Sequence, residues 1–174
     1  FDGIYLKAYL NGSLNASTPL HGSGQLNAPI RDLYIGSNLT NSSFFNGSID
    51  DVRIYNRVLT SEEVYKLYYK PEGNLTITNL ISGTDKNLPV AYYKLDESSG
   101  TVALDSSGNN YHGTNIGATV TAAGYDGTNN GAYSFDGSND YISIPNPSLD
   151  LSGNLTLSMW IKRDDTSESP GQAL

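Results

Sequence analysis

The chain has 174 residues, 10 basic against 18 acidic side chains for a net charge of −8, and no cysteine. That length suits one domain, or a domain plus a fragment. The charge argues against nucleic acid or an anionic membrane surface as partner, and the missing cysteines exclude disulfide and thiolate–metal chemistry.

Gly, Asn, Ser, Thr and Tyr dominate the composition, which reads as many short strands joined by tight turns. No stretch is long and apolar enough for membrane insertion. The chain opens on Phe1, so any targeting segment is expected outside it. The first predicted strand covers residues 4–10 and ends at Asn11-Gly12, a favoured hairpin turn. The next covers residues 30–36, with Leu33 and Ile35 alternating against Asp32 and Tyr34. Residues 44–46 lead through Gly47 into a strand at 49–55, where Ile49, Val52 and Ile54 supply apolar contacts around Asp50, Asp51 and Arg53. Thr60 and Glu63 have capping-box spacing and open a helix at 61–69, stopped by Pro71. Val64, Leu67 and Tyr68 would form its buried stripe.

Residues 71–87 read as a linker with one possible strand at 75–80. A second system then begins, with a strand at 90–95, a turn at 96–100, a short strand at 101–104 and a Ser/Gly/Asn loop at 105–113. Strands at 132–135 and 141–144 flank the turn Asp136-Gly137-Ser138-Asn139-Asp140. Residues 155–162 alternate Leu155, Leu157, Met159 and Ile161 against Thr156, Ser158, Trp160 and Lys162, a period-2 pattern. The tail at 164–172 is polar, and no internal repeat is visible. The fold class expected is all-β, an antiparallel sandwich with one short helix.

Three phrases of the second system, "AYYKLDESSGTVALDSSGNNYHGT", "AYSFDGSNDYISIP" and "LTLSMWIKRD", resemble the opening of a laminin G-like domain of the concanavalin A-like superfamily, a jelly-roll β-sandwich. Residues 2–68, with "DGIYLKAYLNGSL", "LYIGSN" and "FNGSIDDVRIYNRVLTSEEVYKLY", resemble its close. Residues 1–70 are thus expected to be the C-terminal part of a sandwich and residues 88–174 the N-terminal part. The order is reversed, and the strands that should lie between "MWIKRD" and "YDG" are absent. Two arrangements follow: a window on tandem domains, or a permuted unit whose halves close one sandwich with strands supplied by a neighbouring copy.

The turn at 136–140 concentrates oxygen ligands of the kind calcium takes. The resemblance implies a structural calcium ion near this turn and the "IDD" strand, which carries over to Asp136, Asn139, Asp140, Asp51 and Asp50. The alternative is an Asx-turn hairpin that binds nothing. The loop from Asp105 to Asn110 departs from the EF-hand pattern and reads as an ordinary loop. His21 and His112 stand alone, without zinc-site spacing.

The glucanases of this fold carry a Glu-x-Asp-x-x-Glu strand, which this chain lacks. There is no nucleophile elbow, and Gly22-Ser23-Gly24 lacks the rest of a phosphate loop. The expectation is therefore not an enzyme. The 13 tyrosines and one tryptophan offer sugar-stacking or interface surface beside their packing roles. The doublets Tyr68-Tyr69 and Tyr92-Tyr93 are expected to split, one ring in the core and one exposed. Sequons at Asn11, Asn15, Asn38, Asn41, Asn46, Asn74 and Asn154 fit a glycosylated extracellular or cell-surface protein. Asn11 and Asn46 each begin an Asn-Gly turn expected to project from a sheet. The function expected is an adhesion module that binds glycans or surface proteins. The rival is a structural subunit of a filament or coat, built from tandem domains or neighbouring copies of the chain.

Overall fold

A computed structural model describes residues 1–19, 32–38, 40, 42–69, 88–120, 123–127, 130–145, 151 and 153–164. It holds β1 (Tyr5–Leu10), β2 (Ser13–Pro19), β3 (Leu33–Ile35), β4 (Asn46–Tyr55), α1 (Ser61–Tyr69), β5 (Ala91–Tyr93), β6 (Val102–Ala103), β7 (Gly113–Ile116), β8 (Thr119–Val120), β9 (Tyr133–Asp136), β10 (Tyr141–Ile144) and β11 (Thr156–Arg163). The expectation of an antiparallel all-β fold with one short helix holds, and the helix bounds match.

Two sheets face each other. One runs β3-β10-β7-β6, the other β11-β4-β9-β8, with β5 also on β4. Strand β4 organises the second sheet. Along one edge it pairs with β11; along the other, β9 takes Asn46 to Ile49 and β5 takes Val52 to Ile54. Each main sheet thus takes one strand from residues 1–69, β4 inside one sheet and β3 at the edge of the other, and the rest from residues 88–164. One core joins the sheets: Ile35, Ala103, Ile142 and Ile144 meet Ile49, Val52, Ile54, Tyr93, Tyr133 and Phe135.

The spacing of Ile49, Val52 and Ile54 has a structural cause. A strand keeps one face inward by steps of two, and here one step is three. Asp51 takes φ 57°, and the register with β11 shifts between Ser158 and Trp160. This β-bulge returns Val52 to the core and turns Asp50 and Arg53 to the outer face. Just upstream, Gly47 has φ +141°, and a Cβ there would lie 2.1 Å from the Lys162 carbonyl oxygen. Only glycine lets β4 and β11 approach so closely.

Several expectations need correction. Strand β2 was not anticipated, because "SLNASTP" is polar; pairing with β1 across Asn11-Gly12 makes it a strand. Both turn residues have positive φ, 49° and 75°, as a type I′ turn requires. Asn46-Gly47 is no turn: Asn46 starts β4 opposite Asp136. Strand β8 lies in a stretch that shows little apolar pattern. The helix buries no residue completely; Val64 and Leu67 are half-buried and Tyr68 is exposed. The strand expected at 75–80 lies outside the described residues.

The capping box is present in both directions. The Thr60 amide donates to Glu63 Oε2 at 2.7 Å, and the Glu63 amide donates to Thr60 Oγ1 at 3.2 Å. Arg57 grips the same carboxylate with two bonds of 3.0 and 2.8 Å. Thr156 of β11 holds the approach to the helix, donating to the Arg57 carbonyl and accepting from the Leu59 amide.

Candidate functional site

The outer face of the β4 sheet carries most of the chemistry. Asp50 and Trp160 are paired across β4 and β11, so their side chains leave the sheet together. The Tyr125 amide donates to Asp50 Oδ2 at 3.0 Å. That bond holds the Tyr125 ring flat against Trp160, with centroids 4.4 Å apart and planes 4° apart. Tyr68 of α1 stacks on Trp160 at 5.5 Å, and Tyr69 meets Tyr68 edge-on. Tyr65 stacks on Tyr69 at 4.9 Å, one helical turn away. The result is one rank of five aromatic rings, Tyr125, Trp160, Tyr68, Tyr69 and Tyr65. At its helical end Tyr65, Tyr68 and Tyr69 are 50%, 37% and 61% exposed.

Beside the rank lies a buried polar triangle. Arg53 Nη2 donates to Asp51 Oδ2 at 2.9 Å and to the Tyr92 hydroxyl at 3.0 Å. The Tyr92 hydroxyl donates to Asp51 Oδ1, and the Arg53 guanidinium lies 4.5 Å above the Tyr92 ring. Burial pushes the Tyr92 hydroxyl far above its ordinary range; Arg53 opposes this and Asp51 adds to it. Tyr92 is therefore a fixed donor at neutral pH. Burial would lower the Arg53 pKa, but Asp51 and the surrounding tyrosines raise it on balance. The triangle positions β4 against β5. Tyr92 and Tyr93 do split between the faces, but both are buried: Tyr93 enters the core, and Tyr92 is covered by this triangle.

The residues singled out as calcium ligands fall in three places. Asp136 Oδ1 accepts from the Ser138 amide at 2.8 Å and the Asn139 amide at 3.3 Å. Asp140, buried, accepts from the Asp136 amide at 3.0 Å through Oδ2. Asp51 belongs to the triangle and Asp50 holds Tyr125. Among the described residues no three acidic or histidine side chains gather as a metal-binding group. Asp105, in the loop read as ordinary, has both carboxylate oxygens engaged by Tyr92, Ser107 and Tyr111. His112 Nδ1 accepts from the Asp105 amide at 2.9 Å. His21 and the Gly22-Ser23-Gly24 stretch lie outside the described residues.

Of the sequons, Asn11, Asn15, Asn38, Asn46 and Asn154 are exposed. Asn38 Oδ1 accepts from Thr40, Ser42 and Ser43 within its own loop. Asn41 and Asn74 lie outside the described residues.

Sequence reasoning missed the triangle and the aromatic rank. The triangle had a signal: the three-residue step from Ile49 to Val52 marks a bulge that aims Arg53 outward. The rank had a weaker one, an indole among the polar positions of β11. Nothing in the sequence tied Tyr125 to it.

The comparisons agree with this architecture. Residues 1–65 match the family model described as the concanavalin A-like lectin/glucanases superfamily, in its laminin G form. That match covers β1 to β4 and the first half of α1, the segment that contributes the central strand of the larger sheet. The superfamily includes both lectins and glucanases. No curated protein and no solved structure matches the chain.

Proposed function

We propose that this protein is a non-catalytic, extracellular binding module of a larger surface protein, and that it takes a glycan on the tyrosine platform of α1. The observation that carries the reading is the aromatic rank. Tyr125 and Tyr68 both stack on Trp160 and Tyr69 and Tyr65 continue the contact, so the exposed rings of α1 are tied to the sheet before any ligand arrives. Sugar rings bury their apolar faces on such rings and bond with the hydroxyls. Pre-ordering lowers the entropy lost on binding. The neighbouring buried acids Asp50 and Asp51 are bound to the Tyr125 amide and to Arg53 and Tyr92, which supports a positioning role for them.

A glycan array followed by titration tests this. Specific binding that Tyr69→Ala abolishes, with the melting curve unchanged, supports it. Hydrolysis of a β-glucan would overturn the non-catalytic reading. Among the described residues no helix is long and apolar enough to cross a membrane.

Two further readings belong with this one. The pairing of β4 with β5, β9 and β11 supports a permuted unit in which residues 1–70 close on residues 88–174; tandem domains would use the same strand edges between repeats. Calcium at the Asp136–Asp140 turn rests on two carboxylates four residues apart and on the family resemblance. A melting temperature raised by millimolar calcium, with the rise lost in Asp140→Ala, would support it.

A further inference from the structure

The chain holds three Asn-Gly steps, at Asn11, Asn46 and Asn130, and the fold places them in different surroundings. A glycine leaves its own backbone nitrogen unshielded, so that nitrogen can reach the side-chain carbonyl of the asparagine before it. At Asn46 the backbone is locked. Gly47 is buried and pairs with Phe135 of β9 on one side and Arg163 of β11 on the other, and the Asn46 carbonyl accepts from the Asp164 amide at 3.2 Å. Asn130 is exposed, but Gly131 is buried. Its carbonyl oxygen packs so closely on Gly124 that a Cβ there would lie 2.6 Å away.

Asn11 differs on both counts. It is exposed at the tip of the β1–β2 hairpin, past the last ladder pair, Leu10 with Ser13. The hydrogen bond of such a turn joins its first and fourth residues, which leaves the Gly12 amide outside it. Asn11 and Gly12 hold φ of 49° and 75°. Gly12 also lies against Tyr68, where a Cβ would come within 3.0 Å of the side chain, and Tyr68 stacks on Trp160.

We infer that Asn11-Gly12 is a site of spontaneous modification, at which the Asn11 amide is lost and isoaspartate forms, and that the change reaches the aromatic rank through Gly12 and Tyr68. The Gly12 nitrogen gives its proton to hydroxide and attacks Cγ of Asn11. The new N–Cγ bond closes a cyclic imide, the Cγ–Nδ2 bond breaks, and the nitrogen leaves as ammonia with a proton from water. Water then adds to either imide carbonyl and opens the ring to aspartate or isoaspartate. In isoaspartate the main chain runs through Cγ and is longer by one carbon. A two-residue type I′ turn has no room for that extra atom, so Gly12 moves off Tyr68. The inference is independent of the glycan reading.

The test uses unglycosylated chain, in which Asn11 Nδ2 is free to leave. It is incubated at physiological temperature and mildly alkaline pH, and peptide mapping by mass spectrometry follows each Asn-Gly step. Asn11 should convert at least about tenfold faster than Asn46 and Asn130, whose attack needs local opening of paired or buried backbone. An intact Asn11 at the end of the incubation, or conversion at Asn46 or Asn130 as fast as at Asn11, would overturn the assignment. Trp160 is the chain's one tryptophan, so its emission reports on the rank and should change in step with the isoaspartate fraction. Asn11→Gly suits the same turn and has no side chain to cyclise, and its emission should stay constant over the incubation. An equal drift in that variant, or isoaspartate at position 11 with no change in Trp160 emission, would overturn the link to the rank.

Discussion

Strands β10 and β11 carry the same alternating pattern, and the fold treats them differently. Ile142 and Ile144 of β10 are 0% exposed, whereas Leu157, Met159 and Ile161 of β11 are 42–50% exposed. Both sets point inward. β10 lies between β3 and β7, with Phe135 and Tyr133 of the other sheet in the same core. β11 lies at the rim, and no described strand lies across from it. Alternation therefore specifies which side of a strand is apolar, and the number of strands in the opposite layer decides whether that side is buried.

Truncating one residue of each kind should separate the two strands most clearly. Phe135→Ala removes a buried ring that touches both sheets and should cost about 3–5 kcal/mol. Met159→Ala should cost at most about 0.5 kcal/mol in the dilute, monomeric chain. Chemical denaturation of both variants checks this, and equal losses would mean that β11 is covered in solution. The next effect belongs to the outer face. Asp51→Asn keeps the shape and tolerates the positive φ, but leaves Arg53 charged and nearly buried with a weakened partner. The expected cost is roughly 2–3 kcal/mol. A near-neutral result would show that the triangle opens to water.

These comparisons mark what the sequence could reveal. The helix was legible to the residue because its signals are local: Thr60 and Glu63 sit three apart, and Pro71 follows. The antiparallel, all-β class was legible from short alternating runs and Asn-Gly turns. Strand β2 was not, since its residues carry no apolar pattern and only β1 makes them extended. The outer-face site was half legible. The Ile49–Val52 step announced a bulge, but the meeting of Arg53 with Tyr92 and of Trp160 with Tyr125 depends on pairings 39 and 35 residues apart in the chain. The calcium set came from the family resemblance, which groups Asp50, Asp51, Asp136, Asn139 and Asp140; in the structure Asp51 bonds Arg53 and Asp50 bonds the Tyr125 amide.

The helix start offers a smaller test of how locally encoded structure differs from structure imposed by pairing. Thr60→Ala removes the cap on the Glu63 amide and should cost about 1 kcal/mol, with the rest of the fold unchanged by circular dichroism. A cost above about 3 kcal/mol would mean that the cap also holds β11 through its bonded neighbours Leu59 and Thr156.

The smallest effect expected is on pH dependence. The Arg57 guanidinium, with help from the Thr60 amide and hydroxyl and against some desolvation, holds the Glu63 carboxyl at about 2, below its ordinary 4.5. A carboxyl depressed in the folded state binds its proton more readily when unfolded. Its contribution is thus complete above pH 4.5 and is lost as pH falls from there to about 2. Tm measured between pH 6 and pH 2 should fall less steeply for Glu63→Gln than for the unaltered chain, because the variant has no carboxylate left to protonate. The two curves should converge at the acid end, apart from the difference between a neutral acid and an amide. Parallel curves would mean that Glu63 titrates as an ordinary surface acid, with its grip on Arg57 and the Thr60 amide broken in solution. The helix start would then owe its position to Thr156 of β11 instead of to its own cap.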